Sequence, residues 1–211
     1  MVAVIDYDAG NIKSVLNAME FLGQEAVLTG DPDIIRKADH VILPGVGAFG
    51  DAMQRIRSAH LDEVIRDVCA GGRPFLGICL GLQLLFEESM ESPGVKGLGI
   101  LKGRILRIPD KDVESGCQLK VPQIGWNDLS YPGKAKDRGR LFEGIPEHSY
   151  VYFVHSYYLC ADDPEIVKAR TNYGVCIDAS VESGNVFACQ FHPEKSERTG
   201  MKILENFLRI H

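Results

Sequence analysis

The 211-residue sequence is short of several things, beginning with long apolar runs. None approaches the roughly 18–20 residues that cross a bilayer, which predicts no membrane-spanning helix. Its first residues, MVAVIDYDAGN, lack the basic, apolar and small-residue order of a secretory leader. Positive charge is also scarce: 23 Lys and Arg stand against 29 Asp and Glu, a net charge of -6, and the basic residues are dispersed. A phosphate backbone would meet no basic stripe, so no nucleic-acid partner is expected. The six cysteines (69, 79, 117, 160, 176 and 189) form no C-x-x-C, and a chain of this size does not need disulfide staples. The expectation is a cytoplasmic protein with reduced thiols, in which Cys69 and Cys189, set among apolar neighbours, are small core residues. Internal repeats, low-complexity segments and linkers are missing too, which predicts one domain over 1–211.

What is present is a change of rhythm partway along. VAVIDY (2–7), HVILPG (40–45) and RPFLGI (73–78) are short β-rich runs ending in turn residues. Helix-like periodicity fills about 12–22 and 49–70, the second interrupted near Ser58. Strands alternating with helices predict parallel βαβ units whose right-handed crossovers cover both faces of a central sheet. Beyond Gly103 strand-like segments crowd together: GRILRI, LKVPQIGW, SYVYFVHSYYL, EIVKARTNY, VCIDASVES and NVFACQFHP. Their spacing predicts antiparallel hairpins added to the sheet, and an amphipathic helix over about 197–210 closes the chain. The expected fold is therefore α/β: a doubly wound, mostly parallel central sheet flanked by helices, with an antiparallel strand region in the C-terminal half. DKDVESG (110–116) and PGKAKDRG (132–139) read as exposed loops.

In RPFLGICLGLQLLFEES an apolar run delivers Cys79 between Gly77 and Gly81, at the carboxyl end of a predicted strand, where open parallel sheets collect functional groups. The glycines permit a sharp strand-to-helix turn that lifts the thiol clear and points backbone N–H groups toward it. Those donors and the positive end of the helix favour a thiolate and any oxyanion beside it. By itself the pattern fits a buried cysteine in a tight turn equally well. A nucleophile needs a base, and FACQFHPEKS offers one: a strand ends at His192, with Glu194 two places on. On extended chain both side chains point the same way, so the carboxylate can hold one ring nitrogen and leave the other to take the thiol proton. Taken alone, the pair also fits a solvated strand end.

Metal binding fits less well, since no other His or Cys stands at ligand spacing, and neither metal nor cofactor is expected. His40 reads as a strand-start residue, while His60, His148 and His211 have no partner in sequence. In LPGVGAFGD (43–51), glycines at 45, 47 and 50 match G-x-G-x-x-G, but the loop follows a later strand candidate rather than the first, and no acidic residue stands clearly at the end of the next strand. A loop whose N–H groups complete an oxyanion hole beside a nucleophile on the neighbouring strand fits better.

PGVGAFG, GICLGLQLLFEES and QFHPEKS together resemble the class I, triad-type glutamine amidotransferases. DYDAGNIKSV, FEESMESPGVKGLGIL, PQIGWN (122–127) and YFVHSYY (152–158) are similar to the branch that serves as glutaminase subunits of imidazole glycerol phosphate synthases. The resemblance implies that Cys79 attacks the side-chain amide of L-glutamine, that His192 is base and then acid, and that Glu194 orients it. It implies an oxyanion hole from Val46, Gly47 and Leu80, and substrate contacts from Gly45, Gly47, Gln83, Glu91, Ser156 and Tyr157. It further implies a heterodimer with a (β/α)8-barrel cyclase subunit that receives ammonia through a sealed channel, in histidine biosynthesis. Asn11, Gln123, Trp126, Tyr152 and Lys195 match positions at or near that interface.

Trp126 is also readable as a core residue, Lys195 as a solvated charge, and His155 as structural rather than a second base. The KDVESGCQLK stretch before PQIGWN is longer than the resemblance leads one to expect, and Gln123 stands where members of the family differ. Three rival readings remain at this level. One is a glutaminase subunit for another ammonia-channelling synthase, a second is a non-catalytic subunit that stabilises a barrel enzyme, and a third is a free-standing cysteine hydrolase.

Overall fold

The computed structural model describes residues 1–8, 12–133 and 138–211. The first half runs β1 (Val2–Ile5), α1 (Lys13–Phe21), β2 (Ala26–Thr29), α2 (Pro32–Lys37), β3 (His40–Leu43), α3 (Phe49–Ser58), α4 (Leu61–Ala70), β4 (Phe75–Ile78) and α5 (Leu80–Leu84). The second half runs β5 (Glu88–Ser89), β6 (Gly103–Arg107), β7 (Gln123–Asp128), β8 (Tyr150–His155), β9 (Tyr157–Ala161), β10 (Val167–Asn172), β11 (Cys176–Ser183), β12 (Val186–Cys189) and α6 (Glu197–Leu208).

A seven-stranded sheet in the order β10-β11-β12-β4-β3-β1-β2 forms the centre. The five strands from β12 to β2 are parallel, and β11 and β10 extend one edge antiparallel. Every residue of β1, β3, β4 and β12 is buried, as expected of parallel strands covered on both faces. The period of two sorts their side chains between two cores. Ala3, Ile5, Val41, Leu43 and Phe75 pack with α3 and α4, while Val2, Val4, Ile42, Leu76 and Ile78 pack with α1 and α6. Each such buried aliphatic or aromatic side chain contributes about 1.5–3 kcal/mol. The doubly wound expectation holds, and so does the interruption of the second helical stretch, where His60 takes φ 54° and ψ 27° between α3 and α4.

The sequence reading passes over β2 and α2. The local signal exists: Asp31 Oδ1 accepts from the N–H groups of Asp33 (2.8 Å) and Ile34 (3.4 Å), and Pro32 occupies the first turn. The antiparallel strand region of the C-terminal half is present, but not all of it is appended to the central sheet. Of the later strands only β10, β11 and β12 join the central sheet, and β12 pairs parallel to β4. The rest form two small sheets, β5-β6-β9 and β7-β8. SYVYFVHSYYL is not one strand, because the chain leaves β8 at Ser156 and enters β9 in a different sheet. The 110–116 loop is largely exposed, and 132–139 lies partly outside the described residues. All six cysteines are free, with Cys69 and Cys189 buried. Among the described residues no helix is long and apolar enough to cross a membrane.

Candidate active site

β4 ends at Ile78, and the next residue carries the strain of the turn: Cys79 adopts φ 55° and ψ -108°. Its N–H still bonds the Cys189 carbonyl (2.8 Å), so the nucleophile candidate is anchored to β12 as well as β4. The flanking glycines do something other than expected. A Cβ on Gly81 would lie 1.9 Å from the Leu43 carbonyl oxygen, and one on Gly77 would lie 2.7 Å from that of Gly81. They let α5 press onto β3 and β4, while the unusual backbone falls on the cysteine itself, a non-glycine residue held in a sparsely populated region. With five residues, α5 supplies nearby N–H donors rather than the dipole of a long helix.

Cys79, Leu80, Gln83, Glu91, Val46, Gly47, Ser156, Tyr157 and His192 line one cavity of about 280 Å³, completed by Pro122, Val154 and His155. Gly47 has φ +100° and open space around it. Gly45 does not reach the cavity: it is packed under it, where a Cβ would meet Tyr7 Oη at 2.5 Å and Leu80 Cβ at 2.9 Å. Tyr7 Oη in turn donates to the Pro44 carbonyl (3.0 Å), pinning the start of the loop. Glu91 Oε2 accepts the Phe49 N–H (2.7 Å) and Ser92 Oγ the Gly50 N–H (3.0 Å), which ties that loop's exit to the 91–92 segment. A larger cleft of about 640 Å³ lies over Asp6, Asp8, Asp51 and Arg55, and among the described residues no cysteine or histidine lines it.

His192 Nδ1 lies 2.8 Å from Glu194 Oε1, with the two side chains 3% and 2% exposed. The means differ from the extended segment predicted, since Pro193–Lys195 form a 3-10 turn that swings the carboxylate back onto the ring. Two further bonds hold His192: its N–H donates to the Tyr152 carbonyl (2.9 Å), and Ser196 Oγ–H donates to its carbonyl (2.6 Å). Nε2 is buried with no hydrogen-bond partner among the described residues, and it shares its cavity with Cys79. Burial disfavours the imidazolium, but hydrogen bonding and charge from Cys79 and Glu194 outweigh it and push His192 up to about 10. The arrangement therefore favours a protonated imidazole beside the sulfur.

The sulfur has two other neighbours, the Val154 carbonyl at 3.9 Å and Gln190 Nε2 at 3.7 Å. Gln190 lies within the FACQFHPEKS run, but sequence reasoning assigned it no role. Its signal was a polar residue inside an apolar strand end, which a buried hydrogen-bond partner usually explains. Gln83 shares the cavity, but its amide nitrogen is spent on Gln190 Oε1 and the Tyr157 carbonyl, both at 3.0 Å.

The strand pair β7-β8 has two distinct faces. Ile124, Trp126 and Tyr150 are exposed, Trp126 at 46%, and its ring meets Tyr152 edge-on at 6.0 Å. Trp126 is thus a surface residue rather than a core one. Lys195 Nζ sits 6.0 Å from the Tyr152 ring. Gln123 is on the opposite face and only 3% exposed, so it is not a surface contact; its amide meets His155 Nε2 at 3.0 Å. His155 Nδ1 is 2.8 Å from the Tyr157 carbonyl, and burial, reinforced by the charge of His192 against the Tyr157 bond, holds this ring down at about 4. It is neutral and structural, as expected. Asn11 lies outside the described residues.

The Glutamine amidotransferase class-I family model matches residues 3–210. The imidazole glycerol phosphate synthase subunit HisH of Methanothermobacter thermautotrophicus is 47% identical over 210 residues, covering 100% of this chain and 98% of that protein. The corresponding subunit of Aquifex aeolicus is 47% identical (98% and 95% covered), and that of Bacillus subtilis 45% (100% and 96%). Among solved structures, a glutamine amidotransferase superposes with a TM-score of 0.73 at 20% identity, covering 99% of this chain and 97% of that one. The glutaminase domain of Trypanosoma brucei CTPS with bound acivicin superposes at 0.65 and 15% identity, covering 100% and 94%. At these identities the two structures speak for the fold alone.

Proposed function

This chain belongs to the class-I glutamine amidotransferase family, and on that footing we propose that it hydrolyses L-glutamine as the glutaminase subunit of an imidazole glycerol phosphate synthase. Full-length identity of 45–47% to such subunits supports the assignment. The observation that carries the chemistry is the buried corner where Glu194 fixes Nδ1 of His192, leaving Nε2 unpaired among the described residues in the cavity that also holds Cys79.

In this reading the Cys79 sulfur adds to the amide carbon of glutamine while its proton resides on His192. The oxyanion is met by backbone N–H groups of Leu80 and of the Val46–Gly47 loop. The open surroundings of Gly47 allow its peptide to turn when the substrate arrives. His192 then returns its proton to the amide nitrogen, the C–N bond breaks, and ammonia leaves behind a γ-glutamyl thioester. A water that gives its proton to His192 adds to the thioester, the C–S bond breaks, and glutamate departs. Glu194 stabilises the imidazolium each time it forms. Glu91, with one carboxylate oxygen left over from the Phe49 N–H, suits the ammonium of the amino acid. Gln83, Ser156 and Tyr157 shape the remaining wall.

Ammonia near neutral pH is mostly protonated and then cannot act as a nucleophile, so the product calls for a covered route to its acceptor. The exposed Ile124, Trp126 and Tyr150, with the half-buried Tyr152 and Lys195 beside them, are the proposed seat of a (β/α)8-barrel cyclase subunit in a cytoplasmic heterodimer. β8 carries part of this surface and also borders the site: its carbonyls at Tyr152 and Val154 meet His192 N–H and Cys79 Sγ. The whole of 1–211 acts as one domain in this scheme. Cys79→Ala in the complex is expected to abolish glutamine-dependent synthesis of imidazole glycerol phosphate while sparing synthesis from added ammonium. Retained glutamine-dependent turnover would refute the thiol's role, and stimulation of glutamine hydrolysis by a different synthase subunit alone would refute the partner.

A further inference from the structure

The mechanism leaves one buried polar group beside the nucleophile unused. Gln190 is fully buried at the end of β12, and Gln83 is nearly so, at 5% exposure. Their amides join in a chain that ends at sulfur: Gln83 Nε2 meets the Tyr157 carbonyl and Gln190 Oε1, each at 3.0 Å, and Gln190 Nε2 meets Cys79 Sγ at 3.7 Å.

The direction of this chain follows from its fixed end. A backbone carbonyl can only accept, so the Gln83 atom facing Tyr157 must be its NH2. That NH2 also faces Gln190, which must therefore present its oxygen, and this turns the Gln190 NH2 toward the sulfur. An amide flip at either residue would set two acceptors or two donors against each other in a buried site, at a cost of about 1–3 kcal/mol per unsatisfied group. The neighbouring end of the network is held the same way. Neutral His155 donates its Nδ1–H to the Tyr157 carbonyl, so its Nε2 can only accept; Gln123 Oε1 stands 3.0 Å from it, and the two acceptors are reconciled by turning the Gln123 amide so that its NH2 faces the ring.

We propose that Gln190 is a fourth member of the reacting centre, donating a hydrogen bond to the Cys79 thiolate, with the orientation of its amide dictated through Gln83 by the Tyr157 carbonyl. The sulfur stands between a donor that favours its anion and the Val154 carbonyl, at 3.9 Å, that favours its protonated form. Removing the donor shifts that balance toward the less reactive thiol. The same bond fixes where the sulfur lone pairs point during attack.

This inference rests on Cys79 being the nucleophile, and its test separates the two. Thiolate formation is followed by ultraviolet absorbance and by iodoacetamide inactivation against pH in the full chain, Gln190→Leu and Gln190→Glu. Each is read as a difference from its Cys79→Ala counterpart so that the other thiols cancel. The midpoint for Cys79 is expected to rise by about one pH unit in Gln190→Leu, with alkylation at neutral pH about tenfold slower. A larger rise is expected in Gln190→Glu, which keeps the acceptor for Gln83 but turns a carboxylate oxygen to the sulfur. In complex with the cyclase, kcat falls more than KM rises. Gln190→Glu nearly preserves shape and decides the matter if Gln190→Leu does not fold. A midpoint unchanged in a folded variant overturns the role of Gln190 and leaves that of Cys79 standing. Glutamine hydrolysis insensitive to alkylation of Cys79 overturns both.

Discussion

Gly81→Ala isolates the link between packing and chemistry. The added methyl would start 1.9 Å from the Leu43 carbonyl oxygen, and even a contact of 3.0 Å requires α5 and β3 to separate by about 1.1 Å. The obstacle is backbone, not the end of a flexible side chain, so the strain is that of overpacking, about 1–3 kcal/mol. For a urea dependence of about 2 kcal/mol per molar, a 2 kcal/mol loss lowers the unfolding midpoint by about 1 M. Cys79 sits two residues before Gly81 and moves with it. A displacement near 1 Å at a reacting atom costs on the order of 100-fold in turnover. Gly184→Ala is the comparison: φ there is +58° with no heavy atom within 4 Å of the new methyl, so about 1 kcal/mol of stability goes and turnover stays. Urea unfolding and glutamine hydrolysis in the reconstituted complex measure both. If Gly81→Ala retains wild-type turnover while losing no more stability than Gly184→Ala, the idea that these glycines aim the thiol is wrong.

Three further expectations bear on charge and docking. Glu194→Gln removes the anion that supports the His192 imidazolium, so NMR titration of that ring should show a midpoint below the wild-type value of about 10, and kcat should fall about 10²–10⁴-fold. His155 titrates at about 4 in the folded chain against 6.5 when unfolded, so the unfolded state binds more protons between these values and stability falls as pH drops through them. That amounts to about 2 kcal/mol between pH 7 and pH 5, and His155→Gln should lack the slope in urea titrations. His192 has the reverse sign: its contribution is complete only well below about 6.5 and is lost as pH rises through about 10, so it offsets about 0.8 kcal/mol of that change and the His155 contribution is read as the difference between wild type and His155→Gln. Trp126→Ala should weaken cyclase binding by about 2 kcal/mol, near 30-fold by calorimetry, with the unfolding midpoint little changed because the ring is half exposed.

Much of this was legible before any coordinates. Local patterns suffice for VAVI, HVIL and FLGI, because strands buried on both faces must be continuously apolar, and for α6, whose stripe repeats every turn. The Cys79 turn, the His192–Glu194 pair and the Gly47 loop could be named individually. β2 was passed over because an edge strand is only partly buried and carries a weak pattern. Gly45, named as a substrate contact, and Gln123, named at or near the partner interface, came from the resemblance; Gly45 packs against Tyr7 and Leu80 and Gln123 is buried beside His155, placements that a motif match does not state.

From the order of residues alone came the element types, the alternation that winds a parallel sheet, and the candidates for thiol, imidazole and carboxylate. All of these depend on neighbours within about two turns of chain or on motif blocks. Tertiary structure alone decided that β12 lies beside β4, which brings residues 79 and 192 to one cavity. It also decided that SYVYFVHSYYL divides at Ser156, that Trp126 faces solvent, and that Gln190 turns its amide nitrogen to the sulfur. These outcomes depend on which distant strands pair and which buried polar groups must satisfy each other, and separation along the chain carries no record of either.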